Sequence, residues 1–575
     1  MQGLIGIAES RRLFGLRILL RFMDHWGEDV NRTDIGYRIG ACMAVAALTI
    51  TGLCLTYRMV LATWFVDSDL VDVVVLRDGV IQYGLRFLAS WNYTADNWVF
   101  SVLPVYSLVY AMVGDSPAVL VTSGWIVFLL CAGLTAYLVW RLTGRAWVGA
   151  AIFALLLCPN HMVMGGAGSL GHPISHNTSL VWSLAAWVLI WRGLRTQRLG
   201  SMLGACGVGL LVALSDPWAI ATLLLPAFLS SVVLVVCHPR ERTFFVHVGA
   251  LWLITAILAR TRLLYALSFL PNYALRRPDI HTLGENLLWT LRSLGLVSGV
   301  LATRNLTGAF ALCLGLGVML SVLGLACVRL LVSWRALTGA QMWLFLSLVF
   351  SLAGTVGGAA LGPTPASFSA LHFLINFYFF LPVLVAISAC WIPSTWFARV
   401  AFVYGILVAV TGVLDTWKVL QFLEQRDTSL VRVVKPLSDL LLREHLTYGY
   451  GPYWGAQANA VTWYSRGQVV IRPIRFDPVT GRVNGQHEQS SRLWVTPEDV
   501  PQNQSTFFII FGDDWEICPD PARCEAGVVA QFGPPDRRLT TVGWRGDLTI
   551  LVWSRRLYSP GTLDPGKLKN VKSFR

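Results

Sequence analysis

A succession of apolar segments, separated by short Arg-rich loops, constrains this fold more than any other feature of the sequence. The 575-residue chain has a mean hydropathy of +0.59, and only 13% of its residues are charged. A segment of about 20 apolar residues can cross a bilayer as a helix, because a helix satisfies its backbone groups internally. The pattern therefore predicts a polytopic α-helical membrane protein.

About eleven segments are expected to cross the membrane, with the N-terminus in the cytoplasm. They are 39–57, 118–140, 147–162, 180–190, 202–215, 218–237, 245–264, 307–328, 342–361, 373–392 and 400–414. This count places the basic loops WRLTGR, WRGLRTQR and HPRER on one side, as the positive-inside rule requires. The apolar run 99–113 is too short to cross and is interpreted as interfacial or re-entrant. Counting it as a span would reverse the side of the later loops.

The formal net charge of +13 is explained by these cytoplasmic loops, so the sequence predicts no nucleic-acid partner. Residues 1–36 are predicted to form a basic interfacial helix on the cytoplasmic face. Residues 37–416 are predicted to form the transmembrane domain, with an external loop at 58–117. From 417 to 575 the chain is more polar and contains three strand-like runs, QVVIRPIRF, STFFIIFG and DLTILVWSRR. This tail is expected to be a small α+β domain outside the membrane.

Two cysteines, Cys518 and Cys524, lie in the polar segment CPDPARC. A local disulfide is expected between them if the tail lies outside the cell membrane, because extracytoplasmic compartments favour disulfides.

The segment 64–98 concentrates carboxylates beside the first predicted span. Its acidic residues are Asp67, Asp69, Asp72, Asp78 and Asp96, in a chain with 32 acidic residues altogether. Apolar residues recur between them at helical spacing, which indicates an amphipathic helix lying in the membrane interface. Carboxylates are costly near hydrocarbon and are typical of sites that face water, a partner or a substrate. We therefore expect the active site in this external loop.

The layout of residues 37–240 resembles the C-type membrane glycosyltransferases (the GT-C superfamily), which include protein O-mannosyltransferases and aminoarabinose transferases. In this layout the first span is followed at once by an acidic external loop carrying Asp67 and Asp69. A W-N-Y…D-N-W segment at 91–98 then leads to a Pro-bearing apolar helix and a G-D-S-P turn at 114–117. The helix end YLVWRLTGR precedes a helix of small residues. The polar tail with GYGPYW also looks like the external C-terminal domains of bacterial members.

The resemblance implies transfer of a sugar from a polyprenyl-phosphate donor to a cell-envelope glycan, lipid or protein acceptor outside the cytoplasm. It also implies a multi-pass protein of the bacterial inner membrane with a periplasmic C-terminal domain. The general base would be Asp67 or Asp69, with Asp78 as the rival position. No cofactor is expected. A divalent metal is an alternative because His172 and His176 have an i,i+4 spacing, although Pro173 argues against a preformed helical pair.

Polar and aromatic residues of the external loops are candidates for binding the phosphate or the sugar. They are Arg58, Arg77, Trp91, Asp96, His172, His176, Arg276 and Arg277. Each has a structural alternative: a helix cap, a solvated loop, a membrane-edge arginine or a packing contact. The GYGPYW run could stack on a sugar or pack the tail against the membrane domain.

Two other functions are compatible with these patterns. A flippase for a lipid-linked sugar would carry polar, Gly/Pro-broken helices at mid-membrane depth in two matching halves. Here the polar residues concentrate on one face and the halves do not match. A scaffold protein that kept the fold without activity is the other alternative.

Overall fold

The computed structural model describes residues 32–94, 98–165, 169–261, 279–297, 306–361, 372–485, 489–495, 505–511, 518, 520–543 and 546–557. Three predicted site residues, Asp96, Arg276 and Arg277, fall outside the described residues. Residues 1–31 of the predicted interfacial helix do so as well.

Eight helices of the described chain are long and apolar enough to cross a membrane. The long helices are α1 (Arg32–Thr63), α5 (Pro117–Thr143), α10 (Leu225–Cys237, preceded by the π-helical turn Ile220–Leu224), α11 (Arg242–Leu258), α13 (Leu306–Val332), α14 (Gly339–Ala360), α15 (Ile375–Trp391) and α16 (Thr395–Leu423). These helices define a polytopic helical membrane protein.

Shorter helices connect the long ones. They are α2 (Ser68–Tyr83), α3 (Arg86–Ser90), α4 (Leu103–Val113), α6 (Ala146–Leu156), α7 (His161–Met164), α8 (His176–Thr196), α9 (Leu199–Ser215) and α12 (Ile280–Val297). The 11 residues of α4 span about 16 Å, roughly half of a hydrocarbon core. This length agrees with the prediction that the run 99–113 does not cross.

The predicted span 147–162 is longer than the helix that forms there. α6 ends at Leu156, and Asn160 starts the separate turn α7 by accepting a hydrogen bond from the Val163 N–H at 2.9 Å. Pro159 separates the two because a proline cannot continue a helix without losing a backbone bond. The predicted spans 180–190 and 202–215 lie within α8 and α9, and the count of eleven stays a prediction.

Hydroxyl groups inside the helical domain satisfy backbone groups where a helix is irregular. Pro226 has no N–H to offer the carbonyl of Thr222, four residues before it. Ser351 on α14 donates to that carbonyl at 2.6 Å. Gly354 permits the close approach of α14, since a Cβ there would lie 2.1 Å from the Ala221 carbonyl oxygen. The buried polar side chains at this contact therefore have a structural role.

The polar C-terminal region forms a six-stranded mixed sheet in the order β4-β3-β2-β6-β8-β7. Its elements are α17 (Lys435–Arg443), β2 (Tyr448–Pro452), α18 (Ala458–Tyr464), β3 (Val470–Phe476), β4 (Val483–Gly485), β6 (Thr506–Phe511), α19 (Pro521–Phe532), β7 (Arg537–Val542) and β8 (Asp547–Trp553). A separate two-stranded pair joins β1 (Trp91–Asn92) to β5 (Ser490–Ser491). The three predicted strands are confirmed as β3, β6 and β8. Helix α16 continues past the predicted boundary at 417 and ends at Leu423.

Strand β2 lies parallel to both β3 and β6 and is joined to β3 through α18. The chain reaches β3 on one side of β2 while β6 lies on the other. The carboxyl end of β2 is therefore a topological switch point, where open α/β sheets bind ligands. Tyr453 follows this end directly. Cys518 and Cys524 form the predicted disulfide and are buried in the same apolar cluster as Tyr448 and Tyr450.

The predicted membrane sidedness can be tested by cysteine labelling at two exposed positions, Thr196 and Val479. An impermeant maleimide should label Val479→Cys in intact cells and Thr196→Cys only after the membrane is opened, because the Arg-rich loops are predicted to lie inside. The background chain should have its four exposed free cysteines replaced, namely Cys42, Cys54, Cys237 and Cys313. Labelling of Thr196→Cys in intact cells would reverse the predicted orientation.

Candidate active site

The acidic segment folds as helix α2, which confirms the helical spacing read from the sequence. Asp67 caps its N-terminus: the backbone is extended at φ −120°, and the Oδ1 atom accepts the Leu70 N–H at 2.9 Å. The apolar residues Leu70, Val73 and Val74 are buried and fix the helix against the membrane domain. Asp69 and Asp72 are three residues apart and therefore lie on one face of α2.

The C-terminal domain places three polar side chains against these two carboxylates. The Tyr453 hydroxyl lies 2.7 Å from Asp69 Oδ1 and 2.9 Å from Asp72 Oδ2. Gln489 Nε2 donates to the same Asp69 Oδ1 at 2.8 Å, and Asn459 Nδ2 donates to Asp72 Oδ1 at 2.8 Å. The second oxygen of Asp69, Oδ2, makes no hydrogen bond with any residue that the structure describes.

Two backbone-directed contacts hold this arrangement in register. Gln457 Oε1 accepts the Ser68 N–H at 2.8 Å, and the Ser68 hydroxyl donates to the Tyr453 carbonyl at 3.2 Å. Both contacts are buried and join the first turn of α2 to the residues after β2. The acidic helix therefore occupies the switch point of the C-terminal sheet.

Burial controls the protonation of the acidic face. It raises the pKa of Asp69 to about 7, with the negative charge of Asp67 adding to the effect. Burial and the charge of Asp69 raise the pKa of Asp72 well above its usual value. Asp72 is 7% exposed, whereas Asp69 is only partly buried. Asp69 is thus the more solvent-accessible carboxyl group of the two.

His172 lies beside the capping carboxylate, with its Nε2 atom 3.7 Å from Asp67 Oδ2. Its ring packs edge-on against Trp64, with ring centroids 4.8 Å apart. Burial lowers the pKa of His172, but Asp67 and Asp69 together outweigh that effect and the pKa is raised. The charged form of His172 is therefore favoured beside the acidic face.

His176, four residues further on at the start of α8, belongs to a different group of residues. Its Nδ1 atom lies 2.7 Å from Oδ2 of Asp216, which is 1% exposed. Burial raises the pKa of Asp216, but the charge and hydrogen bond of His176 outweigh this effect and lower the pKa overall. The rings around this pair are His372, Phe373, Trp218 and Trp98. The predicted histidine pair is therefore divided between two carboxylates.

Arg58, Arg77 and Asp78 lie away from the acidic face. Arg58 makes a two-pronged ion pair with Glu424, with contacts of 2.6 and 2.7 Å. Arg77 contacts Asp78 at 2.8 Å and Asp115 at 3.4 Å. Asp78 is nine residues beyond Asp69, which is two and a half helical turns, so it points to the opposite side of α2.

Trp91 has a packing role in the structure. Its ring lies 5.4 Å from that of Trp494 and 5.8 Å from that of Phe87, and its backbone pairs with Ser491. The residue is 5% exposed. It joins the external loop to the C-terminal domain instead of facing the carboxylates.

Sequence reasoning missed the partners that the C-terminal domain supplies. Asp72 appeared among the acidic residues but was not a site candidate, and Asn459, Gln457 and Gln489 carried no recognisable signal. Tyr453 lies in the GYGPYW run, which was singled out for its aromatic residues. A further missed residue is Arg432, whose Nη2 atom donates to the Thr63 carbonyl at 3.0 Å just before Asp67.

In the described ranges, no group of three or more His, Cys, Asp or Glu side chains is placed to hold a metal ion. His172 and His176 contact different carboxylates, as described above. The alternative of a divalent metal between them therefore finds no ligand set in this part of the chain.

Comparison with known proteins gives no family for this chain: no family model and no curated protein matches it. The class of this protein is therefore described from its fold and its site alone. This is a polytopic helical membrane protein with a cluster of carboxylates at the end of its first described helix, covered by a small mixed-sheet domain.

Replacing Asp216 by Asn should destabilise the protein strongly, because it removes the carboxylate of a buried histidine–carboxylate pair. Such losses are about 3–5 kcal/mol, whereas an exposed pair contributes about 0–1 kcal/mol. Asp78→Asn is the matched control, since Asp78 is 57% exposed beside Arg77. Thermal unfolding of the full chain in detergent at neutral pH measures the difference. Equal small shifts for both variants would contradict a buried ion pair at His176.

Proposed function

We propose that this protein is an integral-membrane glycosyltransferase that moves a sugar from a polyprenyl-phosphate donor to an extracytoplasmic acceptor. The observation that carries the proposal is the environment of Asp69, a carboxyl group in the first turn of α2. One of its oxygens is held by two donors and the other makes no bond within the described chain. This is the arrangement that a general base needs.

Asp69 is suited to take the proton of an acceptor hydroxyl. As the acceptor oxygen bonds to the anomeric carbon, its proton passes to Asp69 Oδ2. The bond between the anomeric carbon and the phosphate oxygen breaks, and its electron pair stays on the lipid phosphate. A general base is most effective when its pKa is near the working pH, and that of Asp69 is about 7.

Two cationic side chains are placed to stabilise the departing phosphate. His172 faces Asp67, with a raised pKa that favours its charged form. Arg432 lies against the segment before Asp67, with its guanidinium 4.8 Å from the Phe65 ring centre. Donors aimed at developing negative charge lower the barrier of such reactions. These two residues take over the role that the sequence assigned to Arg58 and Arg77.

An apolar cleft between α6, α15 and α16 is suited to the lipid part of the donor. Its lining includes Leu156 on α6, Val297 at the end of α12, Phe377 and Leu381 on α15, and Val408 on α16. Asp415 lies seven residues beyond Val408 on the same face of α16, and its Oδ2 atom is 2.7 Å from His161 Nδ1. The cleft therefore has an apolar body with a polar pair beyond one end, which matches an amphiphile.

A flippase is less well supported by the same structure. Its substrate path would need polar side chains available at mid-membrane depth. The buried hydroxyls of α14, Ser351 and Thr355, instead donate to backbone carbonyls at 2.6 and 2.8 Å. Asp67 and Asp69 follow the end of α1, and Asp216 follows the end of α9.

Asp69→Asn should abolish sugar transfer, since the amide keeps the size of the side chain but cannot accept the proton. The loss of a general base costs about 100- to 10,000-fold in rate. The assay uses membranes containing the full chain and a panel of polyprenyl-phosphate sugars, with protein amount measured in parallel. In the wild type, transfer should fall as the pH drops below about 7, because the base must be deprotonated.

Asp78→Asn serves as the control, and Asp67→Asn tests the contact with His172. Asp78→Asn changes an exposed carboxylate on the opposite side of α2 and should leave transfer unchanged. Asp67→Asn keeps the helix cap, because Asn caps nearly as well as Asp, but removes the partner of His172. Full transfer by Asp69→Asn together with loss in Asp78→Asn would move the base to Asp78. Activity in all three variants would favour the flippase or scaffold alternative.

A further inference from the structure

One phenol stands between two carboxyl groups at the acidic face. The Tyr453 oxygen lies within hydrogen-bond distance of Asp69 Oδ1 and of Asp72 Oδ2, at 2.7 and 2.9 Å. A phenol has a single proton and can donate it to one acceptor at a time. The second short contact is therefore a hydrogen bond only if one of the two carboxyl groups carries a proton and donates it to the phenol oxygen.

We propose that Asp72 holds this proton in the resting protein, so that hydrogen bonds run from Asp72 through Tyr453 to an ionised Asp69. The two carboxyl groups then carry one negative charge, located on the more solvent-accessible residue. The proton arrangement follows from the geometry alone. Its role in preparing a base rests on the proposed function.

The remaining donors fix the direction of this chain. Asp69 Oδ1 receives both Gln489 Nε2 and Tyr453, and two donors on one oxygen suit a carboxylate anion. Asp72 receives Asn459 Nδ2 on Oδ1, which leaves Oδ2, the oxygen facing the phenol, to carry the proton. The reverse assignment would place a proton on an Asp69 oxygen that already accepts from an amide, or on one with no described partner.

Burial and charge favour the same assignment. The titratable groups around the pair are Asp67 at the cap of α2, His172 from the loop before α8, and Tyr453 from the C-terminal domain. Burial and a neighbouring carboxylate both disfavour ionisation. These effects fall more heavily on Asp72, which is 7% exposed and next to Asp69. His172 contacts Asp67 and stabilises negative charge at the Asp67–Asp69 end of the group.

The network places an essential contact in the second domain. Tyr453 comes 384 residues after Asp69 in the chain and directly follows β2. The C-terminal domain is therefore a part of the active site. In the proposed reaction Asp69 accepts the acceptor proton while Asp72 stays neutral, so the pair passes from one negative charge to none. Release of one proton from Asp69 to water restores the resting state.

Infrared difference spectroscopy of the full chain in detergent tests the proton directly. At neutral pH the wild type should show the carbonyl band of a protonated carboxylic acid. Asp72→Asn should remove that band, whereas Asp69→Asn and the control Asp78→Asn should retain it. A wild type without the band, or a band that survives Asp72→Asn, would overturn the proposal.

Tyr453→Phe gives a second test that does not depend on replacing the acid. It removes the acceptor of the Asp72 proton, so the carbonyl band should shift or disappear. An unchanged band would show that the proton is not bonded to the phenol and would also overturn the proposal.

The pH dependence of stability provides an independent measurement. A carboxyl group whose pKa is raised in the folded protein stabilises it at low pH, and this stabilisation is lost as the pH rises through the folded pKa. The unfolding midpoint of the wild type should therefore fall from pH 5 to pH 9 more steeply than that of Asp72→Asn. Asp78→Asn should follow the wild type. Identical slopes for the wild type and Asp72→Asn would contradict a protonated Asp72.

The transfer assay separates this inference from the proposed function. If the infrared and stability results hold while no polyprenyl-phosphate sugar is transferred, the shared proton stands and the glycosyltransferase proposal fails. If transfer depends on Asp69 but the carbonyl band survives Asp72→Asn, the glycosyltransferase proposal stands and the shared proton is wrong.

Discussion

The cost of burying carboxylates is the constraint on which this site depends. Asp67, Asp69 and Asp72 lie within two turns of the start of α2, beside helices apolar enough to lie in a membrane. Ionised groups there require hydrogen-bond donors, cations or protons. The Leu70 N–H donates to Asp67 at the cap of α2, His172 lies beside Asp67, and the C-terminal domain brings amides and a phenol. The position of that domain over α2 follows from this requirement.

The C-terminal sheet meets the requirement through its topology. Its strands β2 and β6 are parallel neighbours, and the chain leaves β2 toward β3, so the residues after β2 have a crevice to line. In an isolated α/β domain that crevice would accept a ligand. Here it accepts the first turn of α2 through Ser68 and Tyr453. Asp69 therefore lies at a junction whose two sides come from different parts of the chain.

The histidines show how one short loop can serve two sites. His172 and His176 are four residues apart, yet they contact Asp67 and Asp216, which come from different elements. Gly171 permits the approach to the first site, since a Cβ there would lie 2.6 Å from Val60 and 2.9 Å from the Trp64 indole nitrogen. The loop links the acidic face to the aromatic group around Asp216. The two histidine–carboxylate pairs are therefore joined by only three residues of chain.

The sequence by itself determined the helical membrane class, the acidic helix after the first apolar segment, the strands β3, β6 and β8, and the Cys518–Cys524 disulfide. These features depend on local periodicity and composition, which a single chain displays. Helix geometry also separates Asp78 from Asp69, because nine residues turn a side chain to the opposite face. Only the tertiary structure decided that Asp72, rather than Asp78, joins Asp69. The reason is that Tyr453 and Asn459 come from more than 380 residues further along the chain, and no local pattern specifies so distant a contact.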